Sequence, residues 1–250
     1  MGVRRAGKLP PYARALRRAY ELMRARFGHQ HWWPGETPFE VCVGAILTQN
    51  TAWSNVERAI ANLKAERVLE PRKLLAPPHA KLARLIRPAG YFNVKARRLR
   101  AFLRVLVEDY GADLRRLFAG KTSQVRERLL AIHGVGPETA DSLLLYAGGH
   151  LSFVVDAYTK RIFDRHEWRG VNPKSEAGNP KSVSDGLSYN ELKALCEASL
   201  SQRPPAKLLD YWQDYHAQLV MVGKHYCRAR LPRCEECPLR PLLLHAVVKH

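Results

Sequence analysis

No stretch of this 250-residue chain approaches the roughly 20 consecutive apolar residues that a helix needs to cross a bilayer, so a membrane-spanning helix is excluded. Arg4, Arg5 and Lys8 stand near the N-terminus, but no apolar segment follows them, so a secretory leader is not expected in this stretch. No internal repeat is present, so the fold is not a repeat array. Acidic residues are scarce: 23 Asp and Glu face 41 Lys and Arg, a formal charge of +18 spread along the chain. That balance favours polyanionic partners without choosing among them, because ribosomal and membrane-surface proteins share it. Cysteine is sparse as well, with five in all. The expectation is a soluble intracellular protein, cytoplasmic and nucleoid-associated.

What is present is helical periodicity. Tyr12, Leu16, Ala19, Met23 and Phe27 recur at helical spacing, and Gly28 stands where a helix stops. Further helical patterns cover about 39–47, 55–63, 81–86, 94–110, 123–132, 137–146, 189–200 and 207–222, and another starts at Asp156. Residues 151–155 are extended, and 169–188, rich in Gly, Pro, Asn and Ser, form a loop. Cys42 falls on an apolar helix face and is core. In the 94–110 helix, Arg97, Arg100 and Arg104 share a face that is solvated, whereas Lys95 is the cation expected to meet phosphate.

The most informative stretch is Ile132-His133-Gly134-Val135-Gly136-Pro137-Glu138-Thr139-Ala140. It reads as two helices joined by a hairpin. Gly134 and Gly136 supply backbone angles closed to other residues, and Pro137 pre-sets the first turn of the second helix. Amides around Val135 and Gly136 are then free to meet a phosphate, which grips a nucleic-acid backbone without reading bases. An ordinary helix–turn–helix corner has the same pattern. Val155-Asp156 puts a carboxylate at the start of a helix, either as a plain N-cap or as a reactive acid.

The order of hairpin, helix, short apolar run and Val-Asp resembles the helix–hairpin–helix DNA glycosylase superfamily, of which endonuclease III is a member. The likeness runs from about Trp32 to the tail. It implies an all-α, two-lobed fold: a helical barrel lobe at 41–150 with the helix–hairpin–helix at about 123–147, and a second lobe of 1–40 plus 151–250, with the active cleft between them and Asp156 at its rim. It further implies that Gly134, Val135, Gly136 and Thr139 bind the DNA backbone and that Asp156 is the catalytic acid. Gln49, within Leu47-Thr48-Gln49-Asn50-Thr51, would stand near the gap left by an extruded base. The loop Gly90-Tyr91-Phe92-Asn93 would insert a side chain beside flipped DNA.

Two departures bear on subfamily. The bifunctional enzymes carry a lysine two residues after the second hairpin glycine; here Glu138 stands there, and a carboxylate forms no Schiff base. Mismatch-adenine glycosylases carry a glutamate four residues before the glutamine; here that residue is Ala45. Trp32-Trp33-Pro34, the run from Leu47 to Trp53, Glu138-Thr139-Ala140-Asp141-Ser142 and Val155-Asp156-Ala157-Tyr158-Thr159 instead resemble the 3-methyladenine glycosylase branch. The resemblance implies monofunctional removal of alkylated purines from double-stranded DNA by a monomer, with base flipping, water as nucleophile, and ionised Asp156 stabilising positive charge on the sugar. Alternatives are a glycosylase for oxidised pyrimidines and a non-catalytic DNA-binding relative. An alkylated purine is cationic, so Trp32, Trp33 and Trp53 are either stacking faces beside Pro34 or core. Lys224, in Met221-Val222-Gly223-Lys224-His225-Tyr226-Cys227, falls near a pocket lysine of that branch, carbamylated in some members; the plain reading is an exposed cation at a helix C-terminus.

Three cysteines crowd into the tail as Cys227-x6-Cys234-x2-Cys237, a spacing that in an intracellular protein signals metal or cluster ligation. Endonuclease III relatives add a fourth cysteine after five more residues and bind a [4Fe–4S] cluster through the loop, here 227–243. This chain has Leu243 at that place. The expectation is a cluster on Cys227, Cys234 and Cys237, with three alternatives for its fourth iron: His245 or Cys196 as ligand, a small exogenous ligand, or loss of the cluster altogether.

Overall fold

The structure is a computed structural model that describes residues 12–32, 35–168 and 187–243. Among the described residues it is helical with no strand. The helices are α1 (Ala13–Phe27), α2 (Pro38–Leu47), α3 (Trp53–Ala65), α4 (Pro71–Leu75), α5 (His79–Leu85), α6 (Phe92–Arg104), α7 (Leu114–Leu117), α8 (Thr122–Leu130), α9 (Pro137–Ser142), α10 (Ala157–Arg165), α11 (Tyr189–Leu200) and α12 (Pro205–His225). None is long and apolar enough to cross a membrane. The expected loop at 169–188 lies, up to residue 186, outside the described residues.

The chain divides into two units, Trp33–Ser152 and the pair Met1–Trp32 with Phe153–His250. The first boundary falls earlier than residue 41, and α2 already starts at Pro38: Thr37 caps it by accepting from the Glu40 N–H, and Glu36 and Glu40 both pair with Lys64 of α3. In this unit α2 is buried along its whole length from Phe39 to Leu47. A helix apolar all round belongs at a core's centre, and α3, α6 and α9 pack against it. The expected 94–110 and 137–146 helices each loosen into one π turn, at Val105–Asp109 and Leu143–Ala147. The short α4 and α7 carry too few turns to show periodicity.

In the other unit, α1 lays Leu16, Ala19, Tyr20 and Met23 against α11 and α12. Tyr20 stacks on Tyr215 with ring centres 5.6 Å apart and donates to the buried Asp214 at 2.7 Å. α10 lies directly on α12 at Gly223, where a Cβ would fall 2.2 Å from the Tyr158 ring. Glycine in a helix interior is usually a weakness; here it admits an aromatic ring.

Candidate functional site

The hairpin arms are α8 and α9, clamped by an ion pair. Arg126 meets Asp141 through two hydrogen bonds of 2.9 and 3.1 Å, and the Ser152 hydroxyl donates to the same carboxylate at 2.6 Å. Asp141 has no exposed surface, so this fork-on-fork geometry carries a buried charge. Gly134 has φ +84°, and a Cβ there would lie 2.2 Å from Arg98 Cγ, so both backbone and neighbour demand glycine.

Gly136 corrects the sequence reading. Its φ of −87° is open to any residue and nothing lies within 4 Å of a Cβ placed there. Its effect is to leave the start of α9 bare of a side chain. Val135 also differs from expectation: its N–H is taken by the Ile132 carbonyl at 3.0 Å and its side chain is core. The Gly136 amide, exposed at the tip, has no acceptor among the described residues. Glu138 is exposed in the first turn, where a carboxylate complements the helix dipole.

Gln49 is a tie rather than a free side chain. Its Nε2 donates to the Gly134 carbonyl at 3.0 Å and to Thr139 Oγ1 at 2.9 Å, and its Oε1 accepts from Arg98 at 2.6 Å. The Thr139 hydroxyl is thereby buried and engaged. Lys95 is a second correction. It is 1% exposed, donating to the Leu47 and Ala89 carbonyls at 2.8 and 2.7 Å, and burial together with nearby Arg98 lowers it to about 8. It seals the carbonyl end of α2 instead of meeting solvent phosphate. Arg100, placed on a solvated face by sequence, donates to the Leu75 and Pro77 carbonyls. Tyr91 is 68% exposed and held at φ +44°, a left-handed conformation rare for a bulky residue.

In the other unit Asp156 caps α10. Its Oδ1 accepts from the Thr159 N–H at 2.7 Å and from the Thr159 hydroxyl at 2.9 Å, while Oδ2 lies 3.6 Å from His216 Nε2 on α12. Burial works against its charge, but His216 and the Thr159 donors outweigh burial and hold the carboxyl below the ordinary carboxylate range. Asp156 is thus both N-cap and buried anion. His216, buried itself, escaped the sequence reading, since one histidine on an apolar helix carries no signal of its own.

Trp32 and Trp53 are half-buried, Trp53 against the core around α2; Trp33 and Pro34 lie outside the described residues. Lys224 is exposed in the last turn of α12, the plainer of its two readings, where its charge complements the helix's terminal carbonyls.

Cys227, Cys234 and Cys237 line one cavity together with Arg165, His166, Tyr226, Arg240 and Leu243. Arg165 donates to Cys227 Sγ at 3.0 Å and Arg161 to the Cys227 carbonyl at 2.6 Å. Burial, with Cys227 and Cys234 alongside, pushes the Cys237 thiol up to about 11. No three ligand-type side chains converge as they would on a single metal ion, among the described residues. A cluster bound at its corners needs no such convergence, and three thiols with a buried, unpartnered imidazole nitrogen on one cavity fit that donor chemistry. Cys196 is buried in α11 and does not line the cavity; His245 lies outside the described residues.

Residues 43–179 match the family model described as HhH-GPD superfamily base excision DNA repair protein. A candidate DNA repair glycosylase of Methanocaldococcus jannaschii is 45% identical over 226 residues, spanning 90% of this chain and 94% of its own length. Endonuclease III of Bacillus subtilis is 26% identical over 205 residues, 82% of this chain and 80% of that one. Among solved structures, a trapped endonuclease III–DNA covalent intermediate superposes with a TM-score of 0.71 at 21% identity, covering 92% of this chain and 94% of that one. The H. pylori 3-methyladenine DNA glycosylase bound to 1,N6-ethenoadenine gives 0.68 at 26% identity, covering 85% and 96%.

Proposed function

The chain belongs to the HhH-GPD superfamily of base excision DNA repair proteins, and from that premise we propose that it is a monofunctional DNA glycosylase that removes alkylated purines of the 3-methyladenine kind from double-stranded DNA. The observation that carries this reading is the buried carboxylate of Asp156, kept ionised by Thr159 and His216. An anion held in place before the reaction stabilises the positive charge that grows on the sugar as the glycosidic bond breaks, and it orients a water to complete the hydrolysis. In a site shielded from solvent that help exceeds what it would be in water. The products are a free base and an abasic site.

Absence of the lyase step rests on Glu138, exposed where an attacking amine would stand. Preference for an alkylated purine is supported by the likeness to the H. pylori enzyme; the indole of Trp53, half-buried against the core around α2, is of the kind that attracts a cationic base. The bare start of α9 with its Gly136 amide grips the DNA backbone, and exposed Tyr91 enters the duplex as the base flips out. Cys227, Cys234 and Cys237, which line one cavity, would hold a [4Fe–4S] cluster, and such a cluster would order the basic 227–243 loop.

The test is release of free base from methylated duplex DNA by the wild type and Asp156→Asn side by side. Release of 3-methyladenine by the wild type alone, with DNA affinity unchanged in the variant, is the expected result. Equal release by both proteins removes Asp156 from the chemistry. Release confined to oxidised pyrimidines overturns the substrate, and tight binding with no release of any base identifies a DNA-binding relative.

A further inference from the structure

His166 follows α10 as its C-terminal cap, far in sequence from the tail cysteines, yet it lines the same cavity as Cys227, Cys234 and Cys237. It is 4% exposed, and its Nδ1 is buried without a hydrogen-bond partner. A buried polar nitrogen left unpaired is costly, so such an atom calls for a reason. The ring is not loosely placed: it stacks on Trp168 with centroids 4.5 Å apart. A buried imidazole nitrogen without a protein partner, on a cavity lined by three thiols, is free to act as a ligand. On the same wall stands Leu243, an apolar residue that offers no ligand.

We propose that His166 is the fourth protein ligand of the iron–sulfur cluster held by Cys227, Cys234 and Cys237. This rests on the cluster assignment above and extends it to a residue of α10. Imidazole in place of thiolate is an established exchange in iron–sulfur chemistry; it makes the site less negative and raises the reduction potential. The substitution also ties the tail loop to α10, the helix that Asp156 caps. Neither Cys196 nor an exogenous ligand is then needed.

The experiment uses the full chain, reconstituted anaerobically with ferrous iron and sulfide, as wild type, His166→Cys and His166→Ala. Metal and sulfide content, the visible charge-transfer band and pulsed electron paramagnetic resonance of the reduced protein are measured, with far-ultraviolet circular dichroism to check folding. Wild type is expected to carry a complete cluster with nitrogen hyperfine coupling. His166→Cys, which restores four thiolates, is expected to keep the iron and lose the coupling, and His166→Ala to lose iron faster under chelation. A cluster without nitrogen coupling in the wild type, or coupling that survives in His166→Cys, overturns His166 as the ligand while leaving the cluster in place. Zinc, or no metal, in the wild type overturns the cluster assignment itself and the ligand with it.

Discussion

His216 Nε2 lies 3.6 Å from Asp156 Oδ2, joining the middle of α12 to the start of α10. Thr159 holds the opposite carboxylate oxygen, and Tyr158 beside it is raised by burial and by the Asp156 charge. The depressed Asp156 carboxyl stays charged at every pH above the ordinary carboxylate range of about 4. Its contribution to stability is present above that value and is lost as pH falls through the lower folded one. His216→Ala removes a group that favours the charge, so the acid limb of base release should move to higher pH. A pH–rate profile unchanged by the substitution would remove His216 from this role.

In the clamp between Arg126 and Asp141 the carboxylate is fully buried while the guanidinium reaches solvent, so it is loss of the arginine that strands a buried charge. Arg126→Ala should cost about 3–5 kcal/mol in urea unfolding. A loss below about 1 kcal/mol, the scale of an exposed pair, would show that the clamp is solvated in solution.

Gln49→Ala should act on DNA binding through the hairpin. It unties the turn after α2 from Gly134, Thr139 and Arg98 at once, at a cost of roughly 1–3 kcal/mol for the polar groups left unpaired. Fluorescence titration should show weaker binding to undamaged and damaged duplex alike, since the hairpin holds the backbone. A defect confined to damaged DNA would instead place Gln49 at the lesion.

Gly223→Ala forces a methyl group against the body of the Tyr158 ring rather than a flexible tip. Overpacking of this kind costs about 1–3 kcal/mol, read as a lower denaturation midpoint. The double variant with Tyr158→Ala should recover part of that loss.

Lys95 predicts an unusual pH dependence. Lowered to about 8 by burial and Arg98 when folded, and near 10.4 when unfolded, it binds protons more readily in the unfolded chain between those values. Its contribution therefore makes stability rise as pH goes from about 8 to about 10.4, and the penalty for burying its charge is complete below the folded value. Denaturation curves at several pH values should show that rise relative to Lys95→Met. Parallel pH curves for the two proteins would mean that the amine is solvated.

What the sequence alone determined is what short-range chemistry encodes. Apolar spacing placed the long helices, Pro137 marked the start of α9, and Val155-Asp156 marked the capped start of α10. The π turns closing α6 and α9 were hidden, because an apolar stripe looks the same whichever carbonyl each amide selects. Tertiary structure decided which polar groups meet. It buried Lys95 and exposed Lys224, turned Gln49 inward, and paired His216 with Asp156. It also brought His166 to the tail cysteines. The reason is physical: a lone lysine, glutamine or histidine has the same local propensity whether it faces water or a partner, and its role is fixed only when distant helices close around it and remove the water.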